Sequence, residues 1–332
     1  MTRIFTDGAE FGDMLFWDIV GGWTVSTTNP FTGNYSYFGN GNSICRKYIT
    51  EINECYIRLR EKVVTANNFL IPIFASDTTT LCYLGGNSLQ NWCAYSSAGL
   101  LEKSQIVYNF GVWYLVEIYF KLDDAPNGRF VVKIDGIQVI NFTGDTKPGA
   151  QTGFNNIAFD RGGQQHYVDD IAMNDTNGDI DNSWCEDGRV ILLTPSGSGT
   201  TNSWANSGGV SASANYLYVD DIPSDSDTTY TYASASSTGA QDQYGLSNFT
   251  GGSLVNILRI FPETRIKMAT TGSDVVKLGY LPSGGTDQLS GSIALTTSYT
   301  RITGTSASAN PVTGLPWTVD DINGLEYVIE VG

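Results

Sequence analysis

Apolar and polar residues alternate along residues 113–171, which is the pattern of strands with one buried face. Val116, Ile118 and Phe120 fall on one side of the first such segment. The dipeptide Asp135-Gly136 supplies the positive φ angles of a tight hairpin, and a Pro/Asn/Gly cluster marks another turn before it. The pattern therefore predicts an antiparallel meander of three or four strands.

The remaining chain favours the same fold class. No window of eleven or more residues shows a helical period, and Gly, Ser, Thr and Asn are abundant, so we predict an all-β chain. A length of 332 residues exceeds the usual size of a domain with a single hydrophobic core. Pro, Gly and Ser crowd together at residues 194–209, where the apolar pattern lapses. We predict a first domain at 1–193, a linker at 194–209 and a second β-sandwich at 210–332.

Three motifs in the first domain resemble the concanavalin A-like and laminin G-like jelly-roll superfamily. They are a Trp-x-x-Val-Glu strand at 113–117, a Val-x-Ile-Asp-Gly hairpin at 132–136 and a closing Asp-Asp-Ile strand at 167–171. The resemblance covers roughly residues 1–192. It implies two tandem antiparallel jelly-roll sandwiches, the first of them concanavalin A-like. The superfamily hosts lectins, hydrolases and structural modules, so this fold alone assigns no function.

Other segments are similar to virion proteins of tailed bacteriophages that carry two jelly-roll domains. They are YVDDIAMND at 167–175, NYLYVDDIPSDSDTTY at 215–230, QDQYGL at Gln241–Leu246 and the ending PWTVDDINGLEYVIEVG at 316–332. The resemblance implies a virion structural protein on the particle surface, in a capsid decoration, vertex or tail position. It also implies assembly in the host cytoplasm, contacts with other capsid or tail proteins, and a homo-oligomer. The second domain would then oligomerise or dock the first.

Charge narrows the possible partners. The chain has 34 acidic against 18 basic residues, a net charge of −16, and both halves are acidic. Such a surface repels nucleic acid phosphate and anionic bilayers, so we expect neither as a partner. No apolar run approaches the ~20 residues of a membrane span, and the first residues lack the apolar core of a cleavable signal peptide. We therefore expect no membrane insertion.

Catalytic motifs are sparse. The one histidine, His166, precludes sites with several histidines, and we expect it in a loop or at a strand edge. Glycoside hydrolysis needs two carboxylates held together, but Glu51 and Glu54 differ by three positions and would point to opposite faces of a strand. The pair Glu117 and Asp123 also lacks the spacing of glucanases that share the jelly-roll fold. From these absences we predict that the chain is not an enzyme.

The loop at 174–187 holds the densest set of oxygen ligands and imitates the spacing of an EF-hand. It has Ile180 where that loop has glycine, and no flanking helices are predicted. A plain acidic surface loop selects the same residues. The candidate Ca²⁺ ligands, the only cofactor site that the sequence suggests, are Asp175, Asn177, Asp179, Asp181 and Glu186.

A sugar-binding surface is the alternative function, in an adhesin or receptor-binding protein for host-surface polysaccharide. Such surfaces stack aromatic faces on sugar rings, with amides and carboxylates nearby. Most aromatic residues of the first domain are equally suited to a sheet core. Trp92 and Tyr95 lie in the polar stretch GGNSLQNWCAYSSAG, so we expect them to be exposed and to contact glycan.

Five cysteines fall in the first domain without the spacing of a metal site. Free buried thiols are favoured, although Cys82 and Cys93 could face each other across a hairpin. The tetrapeptide Val-Asp-Asp-Ile also occurs three times, beginning at residues 168, 219 and 319. We interpret each copy as a strand end followed by an acidic turn.

Overall fold

The computed structural model describes residues 3–40, 44–65, 70–160, 165–178, 180–251 and 255–332. The chain divides into two compact units, Met1–Ile191 and Leu192–Gly332. Antiparallel strands dominate both, and the prediction of an all-β chain with two tandem β-sandwich domains is confirmed. The division lies two residues before the predicted end of the first domain. Among the described residues, no helix is long and apolar enough to cross a membrane.

The first unit consists of two antiparallel sheets. Its strands within the described residues are β1 (Arg3–Asp7), β2 (Ile19–Val20), β3 (Trp23–Ser26), β4 (Ser36–Asn40), β5 (Ile44–Ile52), β6 (Glu54–Thr65), β7 (Leu70–Ser76), β8 (Thr79–Gly86), β9 (Asn91–Ser96), β10 (Gly99–Val107), β11 (Trp113–Lys121), β12 (Gly128–Ile134), β13 (Ile137–Gly144), β14 (Phe154–Asp160) and β15 (Gln165–Asn174). The first sheet has the order β13-β12-β11-β6-β15-β4-β3, with β1 also on β15. The second sheet has the order β10-β9-β8-β7-β14-β5-β2.

The predicted meander forms one side of the first sheet. β11 pairs with β12 and β12 with β13, all antiparallel. Asp135 and Gly136 have φ angles of 49° and 79°, so both central turn residues are left-handed, as a type I′ hairpin requires. The alternation of apolar and polar residues and the Asp-Gly dipeptide thus predicted both the strands and the turn between them.

Apolar side chains from alternate positions of both sheets meet to form the core of the first unit. Phe74 of the second sheet stacks on Phe120 of the first, with ring centroids 4.3 Å apart, and both are fully buried. Burying one such side chain contributes about 1.5–3 kcal/mol. Because every second residue of each strand is used here, the intervening residues must face outward.

The second unit is built around a six-stranded antiparallel sheet. Its elements within the described residues are β16 (Pro195–Asn202), β17 (Ala205–Asn206), a 3-10 helix η1 (Ala212–Tyr218), β18 (Thr231–Tyr232), β19 (Gln241–Leu246), β20 (Glu263–Ile266), β21 (Val275–Leu281), β22 (Gln288–Leu289), β23 (Ile293–Ala294), β24 (Thr300–Thr303), α1 (Val319–Asn323) and β25 (Glu326–Val331). The sheet has the order β16-β19-β25-β21-β22, with β23 also on β21. Leu278 and Ile329 lie in its core, against which Ile266 of the β20–β24 pair packs.

Residues 194–209 are not a linker. They include β16, whose Ser198 lies opposite Tyr244 of β19, and Trp204, which is only 6% exposed. β16 is an edge strand composed mostly of Gly, Ser and Thr, so it lacks the apolar alternation by which strands are recognised. The loss of apolar alternation at residues 194–209 therefore reflects a polar edge strand and not a linker between domains.

Candidate functional site

The outer face of the second sheet, which points away from the first sheet, carries a straight row of residues across all seven strands. Each member lies directly opposite the next in the strand register, so their side chains are neighbours on one face. We call this set the transverse row. In order across the sheet it consists of Ile19, Arg46, Ala158, Ile73, Tyr83, Tyr95 and Leu100.

The middle of the transverse row is buried and its ends are exposed. Ala158 and Ile73 are 0% and 3% exposed, whereas Ile19 at one end and Leu100 at the other are 39% and 53% exposed. The central side chains face away from the main core, yet neighbours on the same face cover them. A cluster separate from the main core forms here, in which Tyr83 packs against the central residues.

Tyr83 and Tyr95 form a stacked aromatic pair in this row. Their ring centroids are 4.9 Å apart with an interplanar angle of 18°, and both side chains are half-buried. Burial, followed by a hydrogen bond with Cys93, raises the pKa of Tyr95 to about 12. Burial likewise raises the pKa of Tyr83. Both hydroxyls therefore stay protonated at neutral pH and can donate as well as accept hydrogen bonds.

Arg46 lies on the same face, three strands from Tyr83 in the register. Its neighbour in the row is Ala158, and no ion pair joins it to a carboxylate of the described residues. Lys103 is exposed and lies opposite Cys93 on this face. The face thus combines an aromatic pair with cationic groups, in a chain whose net charge is −16.

Only one of the two predicted glycan contacts lies on this face. Trp92 is fully buried and packs edge-on against Tyr108 at 5.3 Å, in the core between the sheets, so its predicted exposure is wrong. Tyr95 is three positions along the same strand, β9, and therefore faces outward. The sequence reasoning missed Arg46 and did not single out Tyr83. In β8 and β9, successive residues point to opposite faces of the sheet. This alternation is the signal in the sequence that could have distinguished core-facing from outward-facing residues.

The predicted Ca²⁺ loop is only partly within the described residues, because Asp179 lies outside them. Asp181 forms an ion pair with Arg3 at 3.6 Å, and Asp175 accepts a hydrogen bond from the Asn177 backbone N–H. Glu186 is exposed. Among the described residues, no three His, Cys, Asp or Glu side chains come together in a way that could hold a metal ion. The calcium site stays a prediction that the described residues do not support.

His166 is neither in a loop nor at the edge of a sheet. It lies in β15 between β4 and β6, and both it and Glu61 are fully buried. Its Nδ1 lies 3.4 Å from Oε1 of Glu61, and burial raises the pKa of that carboxyl well above its usual value. The pair sits between the sheets, away from the transverse row.

The outer face of the first sheet also carries cations, but they are engaged within the chain. Arg60 forms an ion pair with Asp187 at 2.5 Å, and Lys62 donates to Asn29 at 3.1 Å. The Nζ of Lys133 lies 3.5 Å from the ring centroid of Trp184. These contacts hold flanking segments of the chain against the sheet. The second sheet's outer face therefore offers a candidate site whose arginine is not engaged by a carboxylate of the described residues.

All five cysteines are free and buried. Cys82 points into the core and donates to the Thr146 carbonyl, while Cys93 lies opposite Gly85 on the outer face. The two thiols are thus on opposite faces of the β8–β9 hairpin, and burial raises the pKa of both.

No family model and no curated protein match the chain. Several solved structures are similar at low identity. An endo-β-1,4-glucuronan lyase from the fungus Trichoderma reesei is 15% identical with a TM-score of 0.44, over 55% of this chain and 100% of that one. A carbohydrate esterase from Shiga toxin-encoding bacteriophage phi24B is 14% identical with a TM-score of 0.40, over 52% of this chain and 98% of that one. A Bacillus subtilis protein with a galectin-like fold is 9% identical with a TM-score of 0.39, again over 52% and 98%.

These similarities correct the prediction that the chain is not an enzyme. Carbohydrate-processing enzymes, lyases and an esterase among them, predominate among the similar structures. The missing motifs of other enzyme classes therefore do not exclude catalysis on this fold. At this level of identity the likeness shows the fold alone and brings no particular reaction to the chain.

Proposed function

We propose that the chain is a surface protein of a tailed-phage particle whose first unit binds host-surface carbohydrate. The phage setting is supported by the motifs shared with tailed-phage virion proteins. In this proposal the second unit oligomerises or docks the first to other capsid or tail proteins. Mass spectrometry of purified particles tests the setting, because a virion protein must be found in them and its absence would overturn this part.

The transverse row is the observation that carries the carbohydrate role. Sugar rings present apolar C–H faces and polar hydroxyl edges, so their sites combine aromatic faces with a few hydrogen-bonding groups. Tyr83 and Tyr95 supply both properties, since their rings are stacked at 4.9 Å and their hydroxyls remain protonated. In this proposal a polysaccharide chain crosses the strands along the row and contacts both rings.

Binding to an array of bacterial surface polysaccharides tests this role. We expect the chain to bind at least one polysaccharide, and Tyr83→Ala and Tyr95→Ala each to weaken that binding roughly tenfold, through loss of aromatic contact area. Tyr119→Ala is a matched control, because Tyr119 and Tyr56 form a similar stack at 4.7 Å on the first sheet. It should leave binding unchanged.

Two results would contradict the carbohydrate role. One is the absence of binding to any polysaccharide on the array. The other is an equal loss of binding in all three variants, which would indicate a general change of structure. The bound polysaccharide should also be recovered and its length measured, since shortened products would show turnover as well as binding.

A further inference from the structure

Arg46 differs from the other buried arginines of the first unit, because within the described residues its side chain forms no hydrogen bond or ion pair. It is 9% exposed, and its Nε is buried without a hydrogen-bond acceptor. By contrast, Arg3 bonds Asp181 and Arg58 donates to backbone carbonyls at 3.2 and 3.3 Å. Of the acidic residues of the chain, all but Asp179 lie within the described residues.

A buried guanidinium without a counter-ion is unfavourable for folding. Removal from water weakens its hydration, and no carboxylate compensates. The acid nearest in the register is Asp18, which precedes Ile19 opposite Arg46, and it forms an ion pair with Lys47 at 3.4 Å instead. A buried charge without an internal partner often serves to bind a ligand and does not stabilise the fold.

The surroundings of Arg46 suit a bound anion. Ala158 and Ile73 beside it are apolar and buried, so an ionic contact made there is screened less than one in open water. The planar guanidinium can donate two parallel hydrogen bonds to a carboxylate. Strands lie about 4.8 Å apart, which puts Arg46 roughly 14 Å from Tyr83 in the row. We therefore expect a ligand that contacts both to be longer than a single sugar.

We propose that the transverse row selects acidic polysaccharides, with Arg46 binding the carboxylate of a sugar acid. This inference rests on the proposed carbohydrate role and adds the substrate class. The tyrosine pair provides the contact surface for the sugar rings, and Arg46 provides the selectivity for charge.

The test compares an acidic polysaccharide with the same polymer after chemical reduction of its carboxyl groups to alcohols. The array used for Tyr83→Ala and Tyr95→Ala supplies the polymer, and affinities are measured for the wild type, Arg46→Met and Lys147→Met. Lys147→Met removes an equal charge at an exposed ion pair with Asp124. We expect carboxyl reduction and Arg46→Met each to weaken binding about tenfold or more, and Lys147→Met to leave it unchanged.

Thermal unfolding of the same variants excludes a folding defect. Since Arg46 has no partner, Arg46→Met should have a melting temperature equal to or above that of the wild type. A strongly destabilised Arg46→Met would contradict the view that this side chain is unpaired.

The outcomes separate the two proposals. Equal binding of the acidic and the reduced polymer, or unchanged binding by Arg46→Met, would overturn the acid selectivity and leave the carbohydrate role standing. The absence of binding to every polysaccharide would overturn both.

Discussion

Three copies of one tetrapeptide show how strongly context sets the conformation of a residue. Val-Asp-Asp-Ile lies inside β15 at its first occurrence, follows η1 at the second, and forms most of α1 at the third. In the helix, Thr318 caps the N-terminus and Asp321 bonds back to it, which is a capping box. In β15, Asp170 adopts a φ of 47° at a bulge. The prediction of a strand end followed by an acidic turn is therefore wrong for all three copies.

In the first copy, Asp169 is fully buried and holds a loop. Its Oδ2 accepts hydrogen bonds from the backbone N–H groups of Phe31 and Thr32, at 2.8 and 3.2 Å. Burial, followed by the neighbouring charge of Asp170, raises the pKa of Asp169 to about 8. Two adjacent buried carboxylates thus anchor flanking segments on the first sheet.

Asp169 should make stability fall as pH rises. Its pKa is about 8 in the folded chain against an ordinary value of 3.8, so the folded state retains a proton between these values that the unfolded state releases. The free energy of unfolding should therefore decrease as pH rises through that window. Denaturant unfolding at pH 5, 6.5 and 8 should give a shallower decrease for Asp169→Asn than for the wild type. The same slope in both proteins would contradict the raised pKa.

At the scale of elements, the side to which each residue of a strand points decides which residues can form a site. β9 carries Trp92 into the core and Tyr95 onto the outer face, although both lie in one polar stretch of sequence. Local polarity suggested that both were exposed. Whether a residue faces the core or the solvent depends on the partner strands of its own strand. Those partners pair over long distances in the sequence.

The two residues should therefore respond differently to substitution. Trp92→Ala removes a fully buried side chain from the core, and we expect it to lower the free energy of unfolding by about 3–5 kcal/mol. Tyr95→Ala removes a half-buried surface ring and should have a smaller effect on stability. Denaturant unfolding of both variants measures this difference, and a greater loss in Tyr95→Ala would contradict the assigned faces.

The sequence predicted the strand meander and its hairpin because those contacts are local and carry a period. It did not predict β16, whose polar residues form a strand only because β19 lies beside them. The transverse row was unpredictable for a related reason. Arg46 and Tyr95 are far apart in sequence and become members of one row only through the order of seven strands.

At the scale of the whole molecule, the chain combines two β units with a strongly acidic composition. A net charge of −16 disfavours anionic partners at long range, whereas the transverse row offers an unpaired guanidinium at short range. A ligand that binds here must make close contacts that outweigh the general repulsion. Such a balance favours selective recognition over nonspecific adsorption of polyanions.

The location of the glycan contact is the central claim, and hydrogen–deuterium exchange tests it most directly. Exchange is measured with and without a saturating concentration of a polysaccharide that binds on the array. We expect slower exchange in β5, β8 and β9, which carry the polar and aromatic members of the transverse row, and no change in β11, β12 and β13. Protection confined to the first sheet or to the second unit would contradict it.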